Sequence, residues 1–125
     1  MPSLVALDLP GGAGFVEALR RAWDAGDAVL PLDQRLPPAA RADLVDRLAA
    51  GVVVDGSGTH RRADGRSVEP GDALVVATSG STGEPKGVVL THDAVAASAT
   101  ATSRRLDVDP DRDHWLACLP LAHIG

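Results

Sequence analysis

The 125 residues carry 45% hydrophobic side chains and a formal net charge of -5, the balance of a globular chain with a core to bury rather than of a disordered one. The acidic excess, with Arg20-Arg21, Arg61-Arg62 and Arg104-Arg105 scattered along the chain, argues against nucleic acid as a partner, because phosphodiester backbones are held by clustered basic residues. One cysteine, Cys118, rules out an internal disulfide and fits a reducing cytoplasm, while no apolar run approaches the roughly 18 residues of a membrane span and no signal peptide is visible at Met1–Asp8.

From the N-terminus, Phe15, Leu19, Ala22 and Trp23 share one face of a predicted helix over Gly14–Ala25, stopped by Gly26. Ala28–Leu32 is a short apolar strand ending at Asp33. Pro37-Pro38 then opens a second helix, predicted over Ala39–Ala50 with Leu44, Val45 and Leu48 inward and Gly51 as its breaker. Val52–Val54 is β-branched and reads as a buried strand. Asp55–Gly71 has no periodicity and reads as a solvated loop or hairpin.

Ala73–Ala77 is the next strand and runs directly into a Gly-rich segment. Val88–Leu90 resumes extended structure, and Thr91 is placed to cap a helix to about Arg105, with Asp93 in its first turn. An acidic turn over Asp107–Asp113 and a strand at Trp115–Leu119 complete the order. The aspartates at 107, 109, 111 and 113 alternate like a calcium loop, but Arg112 stands where its glycine belongs and Cys118 where its glutamate belongs. Cys118, within an apolar run, is expected to be a buried small residue. Helices and strands alternate, which predicts an α/β fold.

The chemistry concentrates in Thr78-Ser79-Gly80-Ser81-Thr82-Gly83-Glu84-Pro85-Lys86-Gly87. A polyphosphate needs several donors held close with little bulk. Gly80 and Gly83 let the backbone approach and turn. Thr78, Ser79, Ser81 and Thr82 add hydroxyls, and Lys86 adds a compact positive charge. Lys86 is the only lysine, the other eleven of the 12 basic residues being arginine. A flexible Ser/Gly linker would not need the strands that flank this segment.

Three other phosphate loops fail on inspection. A Walker-type loop places Ser or Thr after its lysine, whereas Gly87 follows Lys86. A dinucleotide fingerprint opens a helix, and this segment opens a strand. A kinase Gly-rich loop keeps its lysine on a later strand.

The run from Val75 to Lys86 resembles the signature of the adenylate-forming superfamily, which comprises acyl-CoA synthetases, peptide-synthetase adenylation domains and luciferases. Two flanking stretches agree: Ala25–Asp33 is similar to the family's upstream "AGA-x-x-P-L-D" segment, and Leu119–Gly125 to its downstream "LPL-x-H-x-G" segment. The resemblance implies the N-terminal part of that enzyme fold, with sheets flanked by helices. It also implies a two-step reaction. A carboxylate attacks the α-phosphate of Mg2+-bound ATP to give an acyl-adenylate and pyrophosphate, and a thiol, commonly coenzyme A, then displaces AMP. Thr78, Ser79, Gly80, Ser81, Thr82, Gly83 and Lys86 would hold the leaving phosphates, with Lys86 as the catalytic residue and no metal ligand from the protein. His123, well separated in sequence from those donors, would line the passage of acyl group and thiol. A histidine satisfied by backbone at a strand end is its bland alternative, and His92 reads as a local cap or surface group.

The chain departs from the family in length. Its single Phe, two Trp and absent Tyr, and its close inside the apolar Leu119–Gly125, lead us to expect an incomplete N-terminal AMP-binding domain over 1–125. That domain would lack the adenine and ribose sites and be inactive alone. Compact spacing most resembles the enzymes that activate succinylbenzoate. A non-catalytic nucleotide-binding module and a truncated product of the same family are the competing classes.

Overall fold

The structure, a computed structural model, describes residues 1–123. Six strands form one mixed sheet: β1 (Leu4–Asp8), β2 (Ala28–Pro31), β3 (Val52–Asp55), β4 (Gly58–Arg61), β5 (Asp72–Ser79) and β6 (Pro85–Thr91). Their order across the sheet is β4-β3-β1-β2-β5-β6. β1 runs parallel to both β2 and β3, and β5 parallel to β2, while β4 and β6 close the two edges as antiparallel hairpin partners. Three helices complete the described residues: α1 (Ala13–Asp24), α2 (Pro38–Arg47) and α3 (His92–Arg105).

Alternation along β1 explains the layering. Leu4 and Ala6 pack with Leu30, Leu44 and Val45 toward α2, whereas Val5 and Leu7 pack with Phe15, Ala22 and Val29 toward α1. β1 and β2 are therefore buried on both faces, as parallel strands under helices must be. The α1 crossover leads to one side of β1 and the α2 crossover returns to the other. The carboxyl ends of β1 and β2 thus form a topological switch point, the usual ligand crevice of an open α/β sheet.

The helices at 13–24, 38–47 and 92–105 fall within a few residues of their sequence predictions, and Thr91 caps α3 by accepting from the Ala94 N–H at 3.2 Å. Within the stretch 55–71, β4 folds back on β3 as a hairpin, as one of its two readings expected. Three features differ. Leu4–Asp8, unassigned in the sequence reading, is the central strand. Trp115–Leu119 is not a strand, and Trp115, Leu116 and Leu119 are exposed. Cys118 is exposed rather than buried. Among the described residues this run adds no strand to the sheet, whose edge strand on that side is β6. No described helix is long and apolar enough to cross a membrane.

Candidate active site

The Gly-rich segment is the tip of the β5–β6 hairpin. β5 reaches Ser79 and β6 starts at Pro85, so the turn itself is only Gly80–Glu84. Thr78, Ser79, Pro85, Lys86 and Gly87 lie on strands, a tighter arrangement than a ten-residue loop. The turn is closed by the Gly83 N–H donating to the Gly80 carbonyl at 3.0 Å and the Gly80 N–H donating to the Glu84 carbonyl at 3.3 Å. Gly83 has φ 76°, in the left-handed region that side chains rarely adopt. Ser81, Thr82, Gly83 and Glu84 are all exposed, which leaves the turn's hydroxyls and remaining N–H groups open to a ligand.

Register brings the lysine into the same site. Lys86 pairs directly with Thr78, and Val88 with Val76, so all four side chains project from one face of the hairpin. A Cβ added at Gly80 would stand 3.4 Å from Lys86 Cε and 3.1 Å from the Glu84 carbonyl oxygen, so the lysine stem lies across the glycine. One position on, Gly87 faces the other way. A Cβ there would stand 2.7 Å from Val75 Cγ1 and 3.2 Å from Leu48 Cδ2, so its bareness lets the hairpin seat against the α2 side. Arg47 at the end of α2 lies 3.6 Å from Glu84, an exposed contact of small energetic consequence.

His123 joins this face. A groove of about 370 Å³ is lined by Val76, Ala77, Thr78, Ser79, Val88 and His123. The sequence separation of His123 from the phosphate-loop residues is therefore not a spatial one. Its Nε2 lies 3.0 Å from Asp33 Oδ2, just beyond β2, and Asp33 is also gripped by Arg35 through Nε and Nη2. The Arg35 side chain, its backbone N–H and then His123 hold the Asp33 carboxyl well below the usual carboxylate range. The sequence marks Asp33 as the end of a strand and of the Ala25–Asp33 segment, without a role in the site, and does not single out Arg35. Their available signal was position, since residues just past a parallel strand's carboxyl end face the crevice. Ile124 and Gly125, which complete the Leu119–Gly125 motif, lie outside the described residues.

The adjoining crevice at the switch point, about 520 Å³, is walled by Leu9–Gly12, Phe15, Val16, Leu32–Arg35 and the segment 117–122. That irregular segment thus lies over the ends of β1 and β2. His92 opens α3 and meets Trp23 edge-on with ring centroids 5.0 Å apart, while Trp23 Nε1 donates to the Ala73 carbonyl at 2.9 Å. This histidine belongs to packing, not to the groove.

Comparison with known proteins gives the chain a family and a fold. Residues 60–125 match the AMP-binding enzyme family model. A 2-succinylbenzoate–CoA ligase of Bacillus cytotoxicus is 49% identical over 51 residues, which are 41% of this chain and 10% of that protein. A nonribosomal peptide synthetase structure, FmoA3 with AMPPNP bound, superposes with a TM-score of 0.76 at 28% identity over 98% of this chain and 15% of its own. The o-succinylbenzoate–CoA synthetase of Bacillus subtilis in complex with AMP shares the fold, with a TM-score of 0.78 at 23% identity over 97% of this chain and 38% of its own. The chain therefore spans well under half of each relative. Hairpin-borne loop, lysine register, fold and family match converge: this chain belongs to the AMP-binding, adenylate-forming enzymes and has the fold of their N-terminal part.

Proposed function

We propose that residues 1–125 are an incomplete adenylation domain acting in ATP-dependent activation of a carboxylic acid, with thioester formation to coenzyme A as the second step. The observation that carries this reading is the common face of the β5–β6 hairpin. There a tight glycine turn, exposed hydroxyls and Lys86 stand beside a groove bordered by His123.

In this reading Thr78, Ser79, Ser81 and Thr82 donate hydroxyl hydrogen bonds to the β- and γ-phosphates, and the bare backbone at Gly80 and Gly83 lets the triphosphate approach. Lys86 is the catalytic residue, neutralising charge on the departing pyrophosphate, a preorganised electrostatic role. The exposed hydroxyls and ammonium fit phosphate oxygens. Mg2+ would arrive with the nucleotide, held chiefly by phosphates and water as that ion prefers. When bound it supplies further charge neutralisation at the phosphates. His123 borders the passage through which acyl group and thiol meet, and excludes water from it.

Similarity to the 2-succinylbenzoate–CoA ligase favours coenzyme A as the thiol and an aromatic acid as the substrate class. The likeness to a peptide synthetase supports a second reading, in which the acceptor is a carrier-protein thiol. The 125 residues alone are proposed not to turn over, because the family match and the phosphate hairpin account for only part of an adenylate-forming site. The test is carboxylate-dependent ATP–pyrophosphate exchange. No exchange with the 125-residue protein, and exchange with a family-length chain carrying it, is the expected pair of results. Exchange by the short protein would place a complete active site within it. No exchange by either would favour a non-catalytic nucleotide-binding module.

A further inference from the structure

The groove histidine is held by Asp33, the last residue of the Ala25–Asp33 segment, to which the resemblance gave no role. Asp33 stands two residues past the end of β2, with its side chain only 11% exposed. It receives three donors: Arg35 Nε at 3.0 Å to Oδ1, Arg35 Nη2 at 2.9 Å to Oδ2, and the Arg35 backbone N–H at 3.0 Å to Oδ1. With its pKa depressed by these bonds, the carboxyl is ionised at neutral pH and has only lone pairs to offer. The proton in its 3.0 Å contact with His123 must therefore sit on Nε2. Arg35 Nη2, 3.1 Å from the same ring nitrogen, is then a second donor converging on Oδ2 and not a partner of the imidazole.

We propose that Asp33 is a positioning residue for His123: with Arg35 orienting it, its carboxylate fixes the ring as the Nε2–H tautomer and leaves Nδ1 as the hydrogen-bond acceptor of the groove. A neutral imidazole whose one nitrogen is engaged by a carboxylate presents the other with a defined role. The contact also has a mechanical side. The segment from Trp115 has no regular structure, and its tail carries His123 over the ends of β1 and β2. The Asp33 bond ties that tail to the sheet next to Thr78 and Ser79. The acceptor at Nδ1 suits a hydroxyl or thiol donor entering the groove, and this assignment rests on the reading of His123 given under Proposed function.

The test uses the 125-residue protein labelled with 15N-histidine and monitored by ring nitrogen NMR at a pH where imidazoles are neutral. In the wild type, His123 should show one tautomer, protonated at Nε2, with its N–H protected from exchange. Asp33→Asn, which keeps size but removes charge, should mix the tautomers and speed that exchange by about tenfold, the scale of one charge-assisted hydrogen bond. His60, His92 and His114 should keep their signals, and Asp33→Glu should restore part of the protection. Should Asp33→Asn fail to fold, Arg35→Gln serves instead, with the carboxylate retained and the Nε2–H tautomer expected to persist with weaker protection. Identical His123 signals in wild type and Asp33→Asn, or a wild-type ring protonated at Nδ1, would overturn the proposal. In a family-length chain, Asp33→Asn should lower thioester formation by about tenfold. If the ring signals change as expected but thioester formation does not, positioning stands and the acyl-passage role of His123 falls.

Discussion

The stem of Lys86 crosses directly over Gly80, so close that a Cβ on the glycine would stand 3.4 Å from Lys86 Cε. The one lysine of the chain and the first glycine of the turn are thus a steric pair. Any side chain at 80 competes with the lysine for space and also presses on the Glu84 carbonyl, 3.1 Å away. Gly80→Val should leave the fold intact and displace the ammonium. In a family-length chain it should slow adenylate formation by about tenfold to a hundredfold, as misplacement in a positioned site does. Steady-state pyrophosphate release measures this, and an unchanged rate would mean that the lysine's place is not critical.

Leu30 tests the packing on which the hairpin rests. It is fully buried on β2, among Leu4, Leu44 and Val45. Leu30→Ala should destabilise the protein by about 3 kcal/mol, combining lost burial with the cavity left behind. Urea unfolding should show a lower midpoint at an unchanged slope. A loss under about 1 kcal/mol would show that this layer is not a packed core.

His123→Ala probes the groove. Its Nε2 is spent on Asp33, and although Thr78 and Ser79 share its groove, Ser81, Thr82 and Lys86 lie outside that lining, so ATP affinity should change by less than about tenfold. Thioester formation should fall by about tenfold or more, because the acyl and thiol passage is opened to water and misplaced substrate. Titration of the nucleotide and turnover with acid and thiol separate the two effects. Lost ATP affinity with retained acyl turnover would assign the histidine to the nucleotide.

Acid should loosen the β3–β4 hairpin. Asp55 accepts from the Ser57 hydroxyl at 2.7 Å and from its backbone N–H at 2.8 Å, and these bonds, the side-chain one foremost, lower its pKa from 3.8 to about 2. A carboxyl whose folded pKa is depressed stabilises above its unfolded value and loses that contribution as pH falls through the folded one. The stability difference between wild type and Asp55→Asn should thus be constant above about pH 5 and shrink between about pH 4 and pH 2. A difference that stayed flat over that window would mean that these hairpin bonds add nothing to the folded state.

Much of this architecture is legible in the sequence because local signals and tertiary packing agree. Phe15, Ala22, Leu44 and Val45 are the buried helix residues and also the ones that periodicity places inward. Thr91 caps the helix it precedes. β1 escaped because Leu4-Val5-Ala6-Leu7 is buried on both faces and so shows no alternation. Trp115–Leu119 misled for the converse reason: its composition suits a strand, but a strand also needs a partner strand to pair with, which composition does not report. The Asp33–Arg35–His123 cluster spans 90 residues between aspartate and histidine. Only the fold, by bringing the tail over the ends of β1 and β2, makes it a neighbourhood.

The phosphate role of the hairpin stands or falls on Lys86→Ala, measured as carboxylate-dependent ATP–pyrophosphate exchange in a family-length chain carrying this sequence. Removing one preorganised charge from the departing phosphates should slow exchange by about a hundredfold to a thousandfold. Lys86→Arg should recover only part, because a planar fork replaces a compact ammonium. Exchange by Lys86→Ala within about threefold of the parent, far short of the loss expected for such a contact, would contradict the assignment of this hairpin to the phosphates of ATP.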